Sequence, residues 1–187
     1  MTEPVIPDWP DIEAACEGNQ AAYARLMQKY QPQVTRLLWR FTHDPHQLEE
    51  LVQDAFIEAF KSLHRFRGEA SFWTWLRKIC LRVGYRFWKK QNAWYRRHQS
   101  IEESNGVDLL DWKSLEARNA KEIDEILFRL IARLPVQDRV LITSYYLEEM
   151  PVRDIASAMH WSENTAKVRL HRARKKLLSL WEQMSHE

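Results

Sequence analysis

The sequence is poor in the residue types that mark several common protein classes. It has only four Gly among 187 residues, so neither a glycine-rich phosphate loop nor a dinucleotide-binding fingerprint is expected, since each needs several glycines within one short window. Its two cysteines, Cys16 and Cys80, lie far apart and in no CxxC pair. This spacing argues against a disulfide scaffold or a cysteine zinc site and favours a reducing compartment.

Long apolar runs are also missing. No stretch of about 18 uncharged apolar residues occurs, and residues 1–11 carry Glu3, Asp8 and three prolines where a secretory signal would be basic and then apolar. We therefore expect no direct membrane insertion and a cytoplasmic location.

The net charge is small, because 28 Lys and Arg are offset by 26 Asp and Glu. The two signs are nevertheless segregated along the chain. Residues 61–100 hold eleven basic residues against Glu69 alone, residues 101–125 hold eight acids against three bases, and residues 163–176 hold six bases against Glu163. Two basic segments separated by an acidic one indicate a polyanionic partner more strongly than the total charge does.

Apolar residues recur at helical spacing over most of the chain, which predicts an all-α protein. The clearest stripe runs from Leu48 to Leu63 and faces a row of carboxylates, with Asp44 as the expected N-cap. Residues 98–118 lose this periodicity and gather Ser, Asn, Gly and acids. The sequence therefore predicts two small helical domains, 1–97 and 119–187, joined by a flexible acidic linker.

Residues 151–184 have the pattern of a helix-turn-helix. A short helix to Met159 is followed by a three-residue connection and then by a long basic helix, for which Ser162 is the expected cap. His160 would have to adopt the left-handed conformation that glycine often supplies at this point. The pattern predicts a helix that enters the DNA major groove; the alternative is a solvated basic helix in an ordinary bundle.

Aromatic residues are interleaved with the first basic segment, and the chain has nine Trp in all. Rings that stack on unpaired bases and cations that follow phosphates suit single-stranded or melting DNA, although some of these rings must belong to the core. We expect Trp73, Trp75 and Trp88 to be available for strand capture. Trp39 and Trp161 are expected in the core.

Signals for catalysis or metal binding are weak. His43 and His46 form an isolated H-x-x-H without a zinc-type ligand set, and no nucleophile and base pair can be singled out. We expect no enzymatic activity, no metal and no cofactor.

Four segments together resemble the extracytoplasmic-function class of bacterial RNA polymerase sigma factors. Residues 48–56 are similar to the polymerase-binding helix of that family, and residues 66–76 are similar to its promoter-melting segment. Residues 134–139 and 162–174 are similar to the start and the recognition helix of its carboxy-terminal domain. The resemblance implies an alternative sigma factor that binds core polymerase, recognises −35 and −10 promoter elements and promotes melting.

The resemblance also implies roles for individual residues. Contacts with the clamp helices of the largest polymerase subunit are expected from Leu51, Gln53, Asp54 and Glu58. Contacts with the opened −10 element are expected from Phe66, Arg67, Trp73, Trp75, Arg82, Arg86, Lys89 and Lys90. Contacts with the −35 element are expected from Ser162, Asn164, Thr165, Lys167, Arg169, His171 and Arg172.

Further implied partners are an anti-sigma factor and the nucleic-acid channels of the polymerase, into which the linker would thread. The sequence departs from the family pattern at Arg82, where Asn is frequent, and at Asn164, where Gly is usual. Two other function classes stay open at this point. One is a stand-alone helix-turn-helix regulator, and the other is a nucleic-acid-processing enzyme, which would need a metal or acid-base cluster.

Overall fold

A computed structural model describes residues 7–98 and 120–185, and in these two ranges the regular structure is entirely helical. This confirms the predicted all-α class. The eight α-helices of the described ranges are α1 (Trp9–Cys16), α2 (Gln20–Leu38), α3 (Pro45–Ser62), α4 (Phe72–His98), α5 (Ala120–Ala132), α6 (Val136–Ile142), α7 (Val152–Met159) and α8 (Glu163–Ser185). The predicted linker, residues 98–118, lies outside the described residues except at its first position.

The chain divides between Phe87 and Trp88, within α4, into two compact units. The core of the first unit is built from the apolar stripes of its helices, including Leu26, Leu38, Phe72 and Leu76, each 2% exposed or less. At its edge the buried carboxylate of Asp8 accepts a hydrogen bond from the Tyr30 hydroxyl over 2.5 Å. This bond ties the start of α1 to α2.

Polar side chains cap the starts of α3 and α4, as predicted for Asp44. Asp44 Oδ1 accepts a hydrogen bond from the Gln47 N–H over 3.0 Å at the start of α3. Ser71 Oγ accepts one from the Thr74 N–H over 3.1 Å at the start of α4. Each side chain satisfies an N–H that has no partner within its helix.

A close approach fixes how α4 packs on the segment that follows α2. Gly84 lies against the ring of Phe41, and a Cβ at this position would overlap the ring carbons. Phe41 is itself buried. Glycine is therefore required here by the space available, although it is a poor helix former.

The second unit packs α6, α7 and α8 around a core that includes Val140, Leu141 and Ile155, all fully buried. Pro135 separates α5 from α6, as its position in the sequence predicts. The α-helix α6 ends at Ile142, and a π-helical turn, Thr143–Leu147, follows it directly. The sequence did not predict this change of helix type.

Two of the tryptophan predictions are wrong, and Trp161, expected in the core, is only half-buried. Trp88, in the second unit, is 2% exposed, and the Arg139 guanidinium lies over its ring, 4.9 Å from the centroid; its ring is not presented for strand capture. Trp39 is 40% exposed and stacks on the His43 ring at 4.9 Å. The rings of α4 lie on more than one face of the helix, and Trp39 lies just after the last residue of α2, so sequence spacing does not tell which of these rings is covered.

Candidate nucleic-acid and polymerase interfaces

The connection between α7 and α8 has the geometry of a helix-turn-helix. His160 ends α7 in the left-handed conformation, with φ 56° and ψ 37°. Ser162 Oγ then accepts a hydrogen bond from the Thr165 N–H over 3.1 Å and begins α8. One side of α8 packs against the core through Ala166, Leu170 and Ala173, which are buried. The opposite side of its first turns therefore faces solvent.

The exposed side of α8 is polar and basic. Exposed side chains over residues 163–175 are Glu163, Asn164, Thr165, Lys167, Val168, His171, Arg172, Arg174 and Lys175. Val168 is 43% exposed and was not among the predicted site residues, although it lies four residues after Asn164 and therefore on the same helix face. An exposed apolar side chain among hydrogen-bonding neighbours can contact a thymine methyl group in the major groove.

Two charged side chains among the predicted −35 residues form ion pairs within the unit. Arg169 is half-buried beside the seam, 3.8 Å from the Asp138 carboxylate on α6 and over the Trp161 ring at 5.6 Å. Lys167 forms an ion pair with Glu163 at 2.6 Å, one turn earlier. Burial raises the pKa of Asp138 against the opposing effect of Arg169 and neighbouring cations.

The start of α4 carries two half-buried indoles, and basic side chains occur before the helix and further along it. Trp73 stacks on Tyr30 with their ring planes 4° apart, and Trp75 packs on Phe72 with the centroids 5.4 Å apart. Both indoles are fixed on one side by neighbouring rings and stay partly open to solvent. The remaining predicted −10 cations of this region are exposed or half-buried: Arg67, Arg82, Arg86, Lys89 and Lys90.

Phe66 differs from the other predicted −10 aromatics. It is 8% exposed, lies edge-on to Phe72 at 5.7 Å and packs beside Trp75 at 5.5 Å. In this arrangement Phe66 supports the indole of Trp75 and does not present a stacking face of its own. The spacing of aromatic residues in the sequence does not show that Phe66 is buried whereas Trp75 is partly exposed.

The predicted polymerase-binding residues of α3 separate into three environments. Gln53 and Asp54 are exposed on one side of the helix. Leu51 is 4% exposed; it belongs to the apolar stripe and fills the core, so it offers no contact surface. Glu58 is half-buried, and its carboxylate binds Arg82 and Arg86 of α4, two residues predicted to contact DNA.

Each unit also has an apolar groove. In the first unit a groove of about 420 Å³ lies between α2 and α3 and includes Gln53, Ile57 and Phe60. In the second unit a groove of about 580 Å³ is lined by α5, the π-helical turn and α8, and Tyr146, Leu178 and Trp181 are exposed along it. Open apolar grooves suit helices of partner proteins better than nucleic acid.

Within the described ranges, no group of three or more His, Cys, Asp or Glu could hold a metal ion. The described helices also include none that is long and apolar enough to cross a membrane.

Comparison with protein families finds two matches in the order that the four segments predicted. Residues 26–94 match Sigma-70 region 2, and residues 124–177 match Sigma-70, region 4. The first match contains α3 and most of α4, and the second contains the helix-turn-helix.

Named relatives agree with these matches. The chain is 30% identical over 176 residues to the ECF RNA polymerase sigma-E factor of Escherichia coli, covering 87% of this chain and 88% of that protein. It is 28% identical over 176 residues to the RNA polymerase sigma-H factor of Pseudomonas aeruginosa, with coverages of 87% and 88%.

Solved structures show the same fold. CnrH, in complex with the cytosolic domain of CnrY, matches with a TM-score of 0.61 at 21% identity, covering 94% of this chain and 97% of that one. The sigma factor RpoE of Bartonella quintana, in complex with the anti-sigma factor NepR, matches with a TM-score of 0.59 at 16% identity, covering 86% and 96%. The chain belongs to the extracytoplasmic-function class of RNA polymerase sigma factors.

Proposed function

We propose that this sigma factor recruits core RNA polymerase to promoters through three surfaces: α3 for the polymerase, α4 for the opened −10 element and α8 for the −35 element. The observation that carries the proposal is the start of α8. A left-handed residue, a side-chain cap and a buried small-residue seam together present a polar, basic helix face to solvent. This is the arrangement that places a recognition helix in a major groove.

The exposed face of α8 reads duplex DNA at the −35 element. Asn164, Val168 and Arg172 follow one another at four-residue intervals and face solvent, so they can reach successive base edges. Ser162, Thr165 and Lys167 lie at the helix start, where hydroxyl and ammonium groups suit phosphate contacts. Arg169 is held by Asp138 and Trp161 and lies at the edge of this DNA-binding surface.

The start of α4 captures the melted −10 strand. Trp73 and Trp75 are held on one side by other rings, which leaves each a partly exposed surface for stacking on an unpaired base. The basic side chains that follow supply phosphate contacts, which together with stacking offset the few kcal/mol that unstacking a base costs.

Gln53 and Asp54 form the polymerase contact, and the apolar groove beside them extends this protein-binding surface through Ile57 and Phe60. We also propose an anti-sigma factor as a partner, because solved structures of the same fold include sigma factors bound to anti-sigma factors. The protein acts without enzymatic activity of its own and in the cytoplasm, where polymerase and promoters are found.

The polymerase contact is tested with Asp54→Arg and, as a matched charge reversal, Glu13→Arg on the exposed side of α1. Asp54→Arg should weaken binding to bacterial core polymerase at least about ten-fold, because it places a cation within the protein-binding surface. The Glu13→Arg variant should bind like the wild type.

A stand-alone helix-turn-helix regulator is the alternative function. Such a protein would bind promoter DNA tightly without polymerase, and Asp54→Arg would change none of its activities. Equal core-polymerase binding by the wild type and Asp54→Arg would overturn the assignment of this surface.

A further inference from the structure

Glu58 is bonded to residues of another helix. One oxygen of its carboxylate lies 3.4 Å from Arg82 Nε, and the other accepts a hydrogen bond from Arg86 Nη2. The carboxylate, on α3, therefore bridges two arginines that lie one turn apart on α4.

The bridge joins groups of like charge. Residues four apart on a helix are neighbours, so the guanidinium groups of Arg82 and Arg86 repel each other unless an anion lies between them. Glu58 offsets this repulsion and holds both long side chains in one arrangement.

The bridge is less exposed to water than an ordinary surface ion pair, so its charges are less screened. The side chains of Glu58 and Arg82 are 27% and 30% exposed, whereas Arg86 is 57% exposed. Burial opposes ionisation of Glu58, but the hydrogen bond and charge of Arg86, together with Arg82, outweigh it and hold the pKa of the carboxyl below its ordinary value.

Both arginines keep the capacity to bind phosphate. A guanidinium carries five N–H donors in a fixed plane, and the carboxylate engages Nε of one and Nη2 of the other.

The same bonds turn the Glu58 carboxylate toward α4. The side chains of Gln53 and Asp54 on α3 are exposed instead.

We propose that Glu58 is a positioning residue for DNA capture: its carboxylate orients Arg82 and Arg86 toward the unpaired strand, and it makes no contact with polymerase. The inference rests on the proposed function of α4. It changes the role that the family resemblance implied for Glu58.

The test is a double-mutant cycle in holoenzyme. Binding of a fluorescein-labelled 20-nucleotide oligo-dT is measured by anisotropy for the wild type, Glu58→Gln, Arg82→Gln with Arg86→Gln, and the triple variant, after subtraction of binding by core polymerase alone. Glu13→Gln, which removes an exposed carboxylate from α1, is the matched control. Thermal unfolding of each variant confirms that it is folded.

Glu58→Gln should weaken oligo-dT binding about three- to ten-fold, leave core-polymerase affinity within about two-fold, and have no further effect once both arginines are replaced. Unchanged or tighter binding by Glu58→Gln, an equal loss in the arginine-free background, or a loss of core-polymerase affinity would each overturn the inference. If the wild-type holoenzyme binds no better than core polymerase alone, the DNA-capture function of α4 fails and the inference fails with it.

Discussion

Ser162 Oγ accepts a hydrogen bond from the backbone N–H of Thr165 over 3.1 Å, and its hydroxyl also lies 2.7 Å from the Thr165 hydroxyl. Together these contacts fix the first turn of α8, the turn that we assign to the −35 element. Replacing Ser162 with Ala should cost about 1 kcal/mol of unfolding free energy. Urea denaturation measures the loss, and Ser162→Asp, which keeps the cap, should retain most of the stability.

Ser179→Ala is the control for the cap, because Ser179 is exposed in the middle of α8 and Ala is the better helix former there. A loss of stability in Ser179→Ala equal to that in Ser162→Ala would show that the cap contributes nothing specific.

His160 has a positive φ of 56°, a conformation that costs an L residue with a side chain roughly 1–2 kcal/mol relative to glycine. His160→Gly should therefore raise the unfolding free energy by about 1 kcal/mol. Ser157→Gly, at an exposed position inside α7, should lower it by a similar amount, because glycine disfavours a helix interior. A destabilised His160→Gly protein would contradict the account of this turn.

Gly84 is required by the Phe41 ring beside it. A Gly to Ala change inside a helix normally stabilises it by about 1 kcal/mol, but here the new methyl group overlaps a buried ring. Gly84→Ala should instead lower the unfolding free energy by about 1–3 kcal/mol. Calorimetry measures the change, and adding Phe41→Leu, which makes room for the methyl group, should recover part of the loss.

The contribution of Glu58 to stability should depend on pH in one direction. Because Arg86 and Arg82 lower the pKa of this carboxyl below its ordinary value of 4.5, the folded state holds the ionised form more tightly than the unfolded state does. The stabilisation is then fully present above pH 4.5 and disappears as the pH falls through the lowered pKa. At pH 7 the unfolding free energy of the wild type should exceed that of Glu58→Gln by no more than about 1 kcal/mol.

The difference in unfolding free energy between these two proteins should shrink as the pH falls below 4.5 and vanish once the carboxyl is protonated in the folded state as well. Denaturant midpoints measured from pH 7 through the acidic range follow it. A difference that does not change as the pH falls below 4.5 would show that the carboxylate charge has no part in the bridge.

Local features were predictable from the sequence, because each depends on residues close together in the chain. Asp44 and Ser162 were identified as caps from their place before a helical stripe, and the left-handed turn at His160 followed from the length of the connection. The apolar stripe of α3 was likewise evident. Such features need only the helical period and the hydrogen bonds that a helix end leaves open.

Features that depend on neighbours from distant segments were not predictable. The bridge from Glu58 to Arg82 and Arg86 spans separations of 24 and 28 residues, for which no spacing rule exists. The same limit applies to Phe66, Trp39 and Trp88, because an aromatic side chain can be core or surface according to what covers it. Val168 could not be predicted as a site residue, because an exposed valine on a helix has no polar group that marks it.

Transcription in vitro tests most directly whether this chain gives core RNA polymerase the ability to start at promoters. Core polymerase transcribes fragmented genomic DNA of the source bacterium with and without the purified chain, and the 5′ ends of the transcripts are mapped. We expect new start sites that appear only with the chain, share a −10 and a −35 element, and are lost with Asp54→Arg. Identical start sites with and without the chain, together with tight promoter binding in the absence of polymerase, would contradict this expectation.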